Sequence, residues 1–242
     1  MFYSYASKDG INWVAVNNNP TKIEMNEMVY VGLAVGSANH TNMITTEFSN
    51  TTITFLDPEP LPIAYVKSAA TGTGDGSSWA NATNDLDKAA RLVRQSGNGQ
   101  VWMAAGTYNL SATVVLPAHV ALMGGFTGTE TEAWQRDPKA NLTIVNQTKT
   151  NQRVFAIGTS TGISAPGTSL DGLVISGGNK TGTSEHPDAG GAVYVRYADA
   201  TNAIRNCVFV NNSTNGWGGA LSIFDGFTGF VVENCYFAGN QT

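Results

Sequence analysis

The side chains best suited to chemistry lie late in the chain, around a repeated Gly-Gly-Ala strand. If Val193 and Val195 point inward, Tyr194 and Arg196 point outward, because successive side chains of a strand alternate. Strand, turn and preceding loop together supply aromatic rings, a basic group and carboxylates. The candidate ligand-binding residues are Tyr194, Arg196, Trp217, Phe224, His186, Asp188 and Asp225. Their chemistry suits a groove that binds a sugar.

The same residues make a weak case for catalysis. A glycosidase needs two carboxylates at a matched separation, and a lyase would show an acidic cluster repeated on stacked positions. Neither pattern is visible, so the catalytic residues are unknown and an ordinary solvated face with a longer loop is the preferred interpretation. A groove can still bind sugar without cleaving it. Among Trp79, Trp102, Trp134 and Trp217, the last is the best sugar contact, because it precedes a Gly-Gly turn.

A repeat indicates how these residues are positioned. Residues 190–195 recur at 218–223, and residues 204–209 recur at 232–237, both at an offset of 28. A period of this length is typical of a solenoid, a propeller or an array. Short strands separated by Gly and Asn turns favour a parallel β-helix over a propeller, whose blades need a longer period. Successive coils would stack about 4.8 Å apart.

Stacking places equivalent residues in rows along the coil axis. The expected structural ladder consists of Ile204, Cys207, Phe209, Val232, Cys235, Phe237, Asn212 and Asn240. The two cysteines could form a disulfide or a metal pair, but equal repeat positions beside apolar partners favour a buried ladder. No His or Cys spacing fits a metal site. The two asparagines are expected to hydrogen-bond to each other at a turn, as in cross-β ladders.

Three segments precede or open this repeat. Residues 1–56 predict strands of a partial antiparallel sandwich, including a hairpin around the Asp-Gly turn at 9–10. Residues 57–63 hold three prolines and predict a stiff linker. Residues 64–242 predict the β-helix, truncated at the C-terminus. An amphipathic helix at about 84–95, with Asn84 as N-cap and Gly97 as its end, would cap the first coil.

Composition excludes several classes of protein. Only 13% of the 242 residues are charged and the net charge is −5, whereas a usual globular chain is about 25% charged. A nucleic-acid-binding protein needs a basic stripe, which is absent. No apolar run approaches the roughly 20 residues that span a bilayer. The expected partner is therefore neither nucleic acid nor a membrane interior, and the oligomeric state is open.

Several strings in the chain resemble those of bacterial surface proteins with right-handed parallel β-helices, of the pectin-lyase-like or polymorphic-outer-membrane-protein-like kind. They are AYVK (64–67), GTGDGSSWANA (72–82), VWMAAGTY (101–108), MGGFTGTETEAWQRDP (123–138), LDGLVISGG (170–178) and the GGA…NCxFxxN repeats. YSYASKDGINW (3–13) and VYVGLAVGSANHTNMITTEFSN (29–50) resemble the C-terminal half of a concanavalin-like, laminin-G-like sandwich.

The resemblance implies an extracellular or cell-surface protein, with a signal peptide on a missing N-terminal part. Two functions remain open at this point. The first is a non-catalytic, carbohydrate-binding, adhesive or display scaffold. The second is a polysaccharide lyase or glycoside hydrolase acting on extracellular glycans. The missing acidic cluster favours the first, and a polysaccharide or glycan is the expected partner in both. No cofactor is expected, but the resemblance to pectate-lyase-like enzymes implies Ca²⁺, held by carboxylates, as the one to consider.

Overall fold

The computed structural model describes residues 5–6, 12, 14–15, 61–94, 96–158, 164–181, 189–225 and 229–242. The chain divides into two compact units, Met1–Phe55 and Leu56–Thr242. In the first unit, β1 (Tyr5–Ala6) and β2 (Val14–Ala15) form an antiparallel pair with Tyr5 opposite Ala15. This pair confirms that the two predicted strands pair in the antiparallel direction. The predicted Asp-Gly turn between them and the rest of the predicted sandwich lie outside the described residues.

The second unit opens with a strand, a helix and a second strand. β3 (Ile63–Val66) pairs in parallel with β4 (Gly99–Ala104), and α1 (Leu86–Arg94) connects them. Ile63, predicted as the last linker residue, is thus the first residue of β3, and residues 57–60 of the linker lie outside the described residues. The helix itself is confirmed.

The N-cap of α1 differs by one residue from the prediction. Asp85 Oδ1 accepts a hydrogen bond from the Lys88 N–H at 3.0 Å, so Asp85 caps the helix in place of Asn84. Gly97 follows the last turn with φ of 86°, and its N–H donates to the Arg94 carbonyl. The buried face of α1 packs against β3, β4, β6 and β7. Since β3 and β6 are edge strands of their sheets, the helix lies at that end of the stack.

Fifteen further strands and one short 3-10 helix complete the described part of the unit. The strands are β5 (Gly106–Leu110), β6 (Val114–Leu116), β7 (Val120–Phe126), β8 (Thr143–Gln147), β9 (Phe155–Ile157), β10 (Ser169–Asp171), β11 (Val174–Ser176), β12 (Asn179–Lys180), β13 (Val193–Arg196), β14 (Ala203–Arg205), β15 (Val208–Val210), β16 (Ser213–Thr214), β17 (Leu221–Phe224), β18 (Val231–Glu233) and β19 (Tyr236–Ala238). The 3-10 helix spans Ala133–Gln135, between β7 and β8.

These strands form three large parallel sheets. Their orders are β18-β14-β10-β7-β4-β3, β19-β15-β11-β8-β5 and β17-β13-β9-β6, and β12 pairs with β16 in a small fourth sheet. From β4 onward, strands that follow one another along the chain lie in different sheets. The chain visits each of the three large sheets in turn, and one such round is called a circuit here. The architecture is all-β with parallel sheets and is compatible with a β-helix or solenoid-like fold.

The register of the last strands follows the sequence repeat. β13 pairs with β17, β14 with β18 and β15 with β19, each at an offset of 28 residues. Left-handed backbone positions recur at the same offset: Asn206 and Asn234 have φ of 52° and 53°, and Gly190 and Gly218 both have φ of 70°. The repeat in sequence is therefore a repeat of corners as well as of strands.

The core runs between the three sheets and is lined by the inward side chains of each circuit. Its largest fully buried members include Met103, Phe126, Phe155 and Phe209. Ile204 is opposite Val232, and the rings of Phe209 and Phe237 stack at 4.7 Å with an angle of 4°. Cys207 is buried, Cys235 is half-buried, and both are free thiols.

Candidate functional site

The site predicted from sequence is built on the starts and ends of β13 and β17. Gly190 and Gly218 occupy the left-handed corners before these strands. A Cβ at these positions would come within 2.4 Å of the Val193 oxygen and 2.2 Å of the Leu221 oxygen, respectively. Only glycine fits such a corner without strain. Trp217 directly precedes the Gly218 corner, and the tight backbone there fixes the direction of the Trp217 side chain.

Tyr194 does not lie on an open surface, contrary to the prediction. It is 2% exposed, and the Arg153 guanidinium lies 4.9 Å from its ring centroid. Arg153 is held there by its Nη2, which donates to the Ala189 carbonyl at 2.8 Å. Burial raises the pKa of the Tyr194 phenol. Tyr194 does point away from the core, as the alternation along β13 predicts, but Arg153 from another circuit covers its ring.

Arg196 and Asp225 form an ion pair at the other end of these strands. Arg196 Nε donates to Asp225 Oδ2 at 3.0 Å, and the guanidinium also lies 4.8 Å from the centroid of the Tyr197 ring. The bond to Asp225 raises the pKa of Arg196. The guanidinium therefore stays charged, which suits binding of polar groups and does not suit proton abstraction.

Two aromatic side chains complete the described part of this face. The rings of Trp217 and Phe224 stack with centroids 5.7 Å apart and an angle of 14°. Trp217 is 49% exposed and Phe224 is half-buried. An apolar ring surface is thus presented near the Arg196–Asp225 pair. His186 and Asp188, also predicted for this site, lie outside the described residues.

The tryptophan with the greatest exposure among the described residues is Trp134, at 80%. Sequence reasoning ranked it behind Trp217. Its neighbours, TETE before it and QRD after it, carry no apolar periodicity, and that polar context was the available signal of exposure. Trp79 and Trp102 instead pack in an aromatic cluster, where the Trp102 and Phe126 rings stack at 4.7 Å.

The described residues contain no group of three or more His, Cys, Asp or Glu side chains that could hold a metal ion. The Ca²⁺ considered from sequence therefore has no such site in this part of the chain. Among the same residues, no helix is long and apolar enough to cross a membrane.

Comparisons with protein-family models, curated proteins and solved structures found no match to this chain.

Proposed function

We propose that this chain belongs to a secreted or cell-surface bacterial protein in which a right-handed parallel β-helix carries a non-catalytic, carbohydrate-binding face. The β-helix is supported by the parallel sheets and by the order in which the chain revisits them. It is also supported by the 28-residue register of β13 with β17 and of β14 with β18. Such a stack provides a long, stiff scaffold, since each circuit buries apolar surface against its neighbours.

The observation that carries the binding function is the half-exposed Trp217, stacked on Phe224. A flat ring supported from behind loses little conformational freedom when a ligand stacks on it, which favours affinity. The apolar C–H face of a sugar ring fits such a surface. Arg196 and Asp225 border it with charged donors and acceptors that can bind sugar hydroxyl groups.

The sparse charge of the chain fits the same proposal. In a stack of parallel strands about 4.8 Å apart, like charges on equivalent positions would repel one another. Neutral polar residues avoid that repulsion along the faces of the scaffold. The charges that do stack in register alternate in sign, since Arg205 lies between Asp171 on one side and Glu233 on the other.

The test is a glycan array probed with the purified 242-residue chain, its Trp217→Ala variant and, as matched control, Tyr236→Ala, which removes an exposed ring of β19. We expect binding to at least one glycan class and a loss of about tenfold or more in affinity for Trp217→Ala. Binding that survives Trp217→Ala unchanged, or no binding at all, would contradict the proposal. Formation of unsaturated products from acidic polysaccharides, followed by ultraviolet absorbance, would instead establish a lyase.

A further inference from the structure

A second concave surface lies on a different part of the molecule. It is an open groove of about 930 Å³ between the loop that connects β7 to β8 and the corner between β14 and β15. Trp134 (80% exposed) and Leu142 (50% exposed) give it an apolar wall. Its lining also includes Arg136, Asp137, Pro138, Lys139, Asn206 and Asn234. We call it the Trp134 groove.

The start of the loop that carries Trp134 is held by a carboxylate. The Glu130 side chain accepts hydrogen bonds from the backbone N–H groups of Thr127, Gly128 and Thr129, at 2.6 to 3.0 Å. The Glu130 carbonyl in turn accepts a bond from Trp79 Nε1 at 2.8 Å. This end of the loop is therefore fixed to the aromatic cluster.

The end of the loop is fixed to the neighbouring strands. Arg136 pairs with Asp171 at 2.7 Å and also donates to the Gly124 carbonyl at 3.0 Å. Pro138 packs so close to Gly172 that a Cβ on this glycine would lie 2.8 Å from the proline ring. A loop bound at both ends presents Trp134 in a defined position, which lowers the entropic cost of binding a ligand.

The floor of the groove is a column of side-chain amides. Asn206 and Asn234 occupy the repeated left-handed corners. Asn206 Nδ2 donates to Asp171 Oδ1 at 2.8 Å, and Asn234 Nδ2 donates to Asn206 Oδ1 at 3.4 Å. No described residue donates to Asn234 Oδ1. A carboxamide both donates and accepts, so the column can bind hydroxyl groups, which do the same.

The charges around the groove are balanced. The cations Arg136 and Lys139 line the groove together with the carboxylate of Asp137. A second carboxylate, that of Asp171, pairs with Arg136. Asp137 Oδ1 also accepts the backbone N–H of Lys139 at 3.0 Å. Two cations and two acids leave no net charge to attract a polyanion. This balance disfavours nucleic acid and polyuronates as occupants.

We propose that the Trp134 groove is a carbohydrate-binding site for a neutral glycan, separate from the Trp217 face. One sugar ring stacks on Trp134, and the Asn206–Asn234 column binds its hydroxyl groups. The size supports a small ligand, because ligand sites are concave and about 300–1,000 Å³, lined by apolar groups with a few convergent polar ones.

The experiment is affinity electrophoresis of the 242-residue chain through gels containing a neutral polysaccharide: β-glucan, xylan, mannan or galactan. A polygalacturonate gel is the acidic comparator. Trp134→Ala removes the stacking surface, and Trp134→Tyr keeps a ring. The matched control is Val115→Ala, which truncates an exposed apolar side chain of β6 outside the groove. Trp217→Ala tests the other face. Because Trp134 is mostly exposed, all variants are expected to fold, and their circular dichroism and melting temperatures check this.

We expect retardation by at least one neutral polysaccharide, insensitive to salt. Trp134→Ala should weaken it by about tenfold or more, while Trp134→Tyr retains most of it. No retardation in any neutral gel would overturn the proposal, as would salt-sensitive binding to polygalacturonate alone or concentration-dependent self-association through Trp134. Loss of binding with Trp217→Ala but not with Trp134→Ala would support the Trp217 face and overturn this site. Loss of binding with Trp134→Ala but not with Trp217→Ala would support the Trp134 groove and contradict the Trp217 face.

Discussion

Replacing Asn212 with alanine removes a set of hydrogen bonds that joins three successive circuits. Asn212 is fully buried. Its Oδ1 accepts the Gly178 N–H at 2.9 Å, and its Nδ2 donates to the Ile175 carbonyl and to Asn240 Oδ1, both at 3.0 Å. Asn240 continues the column, since its Nδ2 donates to the Phe209 carbonyl at 2.9 Å.

The expected loss of stability follows from the groups left behind. After truncation, the Gly178 N–H and the Ile175 carbonyl remain buried without the partner that Asn212 supplied. A buried polar group without a partner costs about 1–3 kcal/mol. Asn240 Oδ1 keeps the Asn212 backbone N–H as a donor at 3.0 Å, so it adds little. We therefore expect a loss of about 3 kcal/mol, which is roughly 6–12 °C in melting temperature for a unit of this size.

The assay combines thermal unfolding with amide hydrogen exchange. The matched control is Asn98→Ala, since Asn98 is exposed and no hydrogen bond of its side chain is found among the described residues. Exchange at Gly178 N–H should accelerate in the Asn212 variant and not in the control. Exposed Asn215 is a second comparison within the same circuit as Asn212.

Two results would refute the reasoning. A melting temperature for Asn212→Ala equal to that of Asn98→Ala would mean that the buried amide contributes no net stability. Unchanged exchange at Gly178 would mean that its N–H finds another partner, so that the column is not what holds the turn.

Two further predictions concern titrating groups. Burial alone would raise the pKa of Glu130, but hydrogen bonds from the Thr127 and Thr129 backbone lower it from 4.5 to about 2. Its stabilising effect is thus complete above about pH 4.5 and lost as pH falls through about 2. Melting temperatures should show wild type exceeding Glu130→Gln near neutral pH, with the gap closing in acid; a constant gap would contradict this. A hydrogen bond from Cys207 lowers the pKa of Cys235 to about 7, whereas burial raises that of Cys207. Iodoacetamide should therefore alkylate Cys235 first, at a rate rising through pH 7, and equal rates at the two thiols by mass spectrometry would argue against it.

The sequence repeat correctly predicted which strands lie side by side. The offset of 28 residues between the two Asn-Cys blocks is the register in which β14 lies beside β18 and β15 beside β19. Leu170, in the LDGLVISGG segment (170–178), lies in register with Ile204. Periodicity is readable because equivalent residues meet the same neighbours in every circuit, so the same residue types are required. The helix was readable for a similar reason, since one face of α1 is apolar.

The sequence predicted less well which side chains are exposed to solvent. Tyr194 occupies an outward position of β13 but is covered by Arg153, which lies 41 residues earlier in the chain. Trp134 belongs to no repeat, and its exposure follows from contacts that fix the ends of its loop. The covering of Tyr194 has no local signal, because it depends on where a side chain from another circuit lies. The polar neighbours of Trp134 indicate its exposure but not the groove beside it.

The sequence by itself determined an all-β chain with stacked, repeated strands, because period, turn residues and apolar spacing are local properties. Only the tertiary structure decided which polar and aromatic side chains face solvent together. The Trp134 groove joins residues 133–142 to Asn206 and Asn234, which are more than sixty positions away. Parallel stacking brings such distant corners side by side, and the loops that cover or leave open each face follow no period.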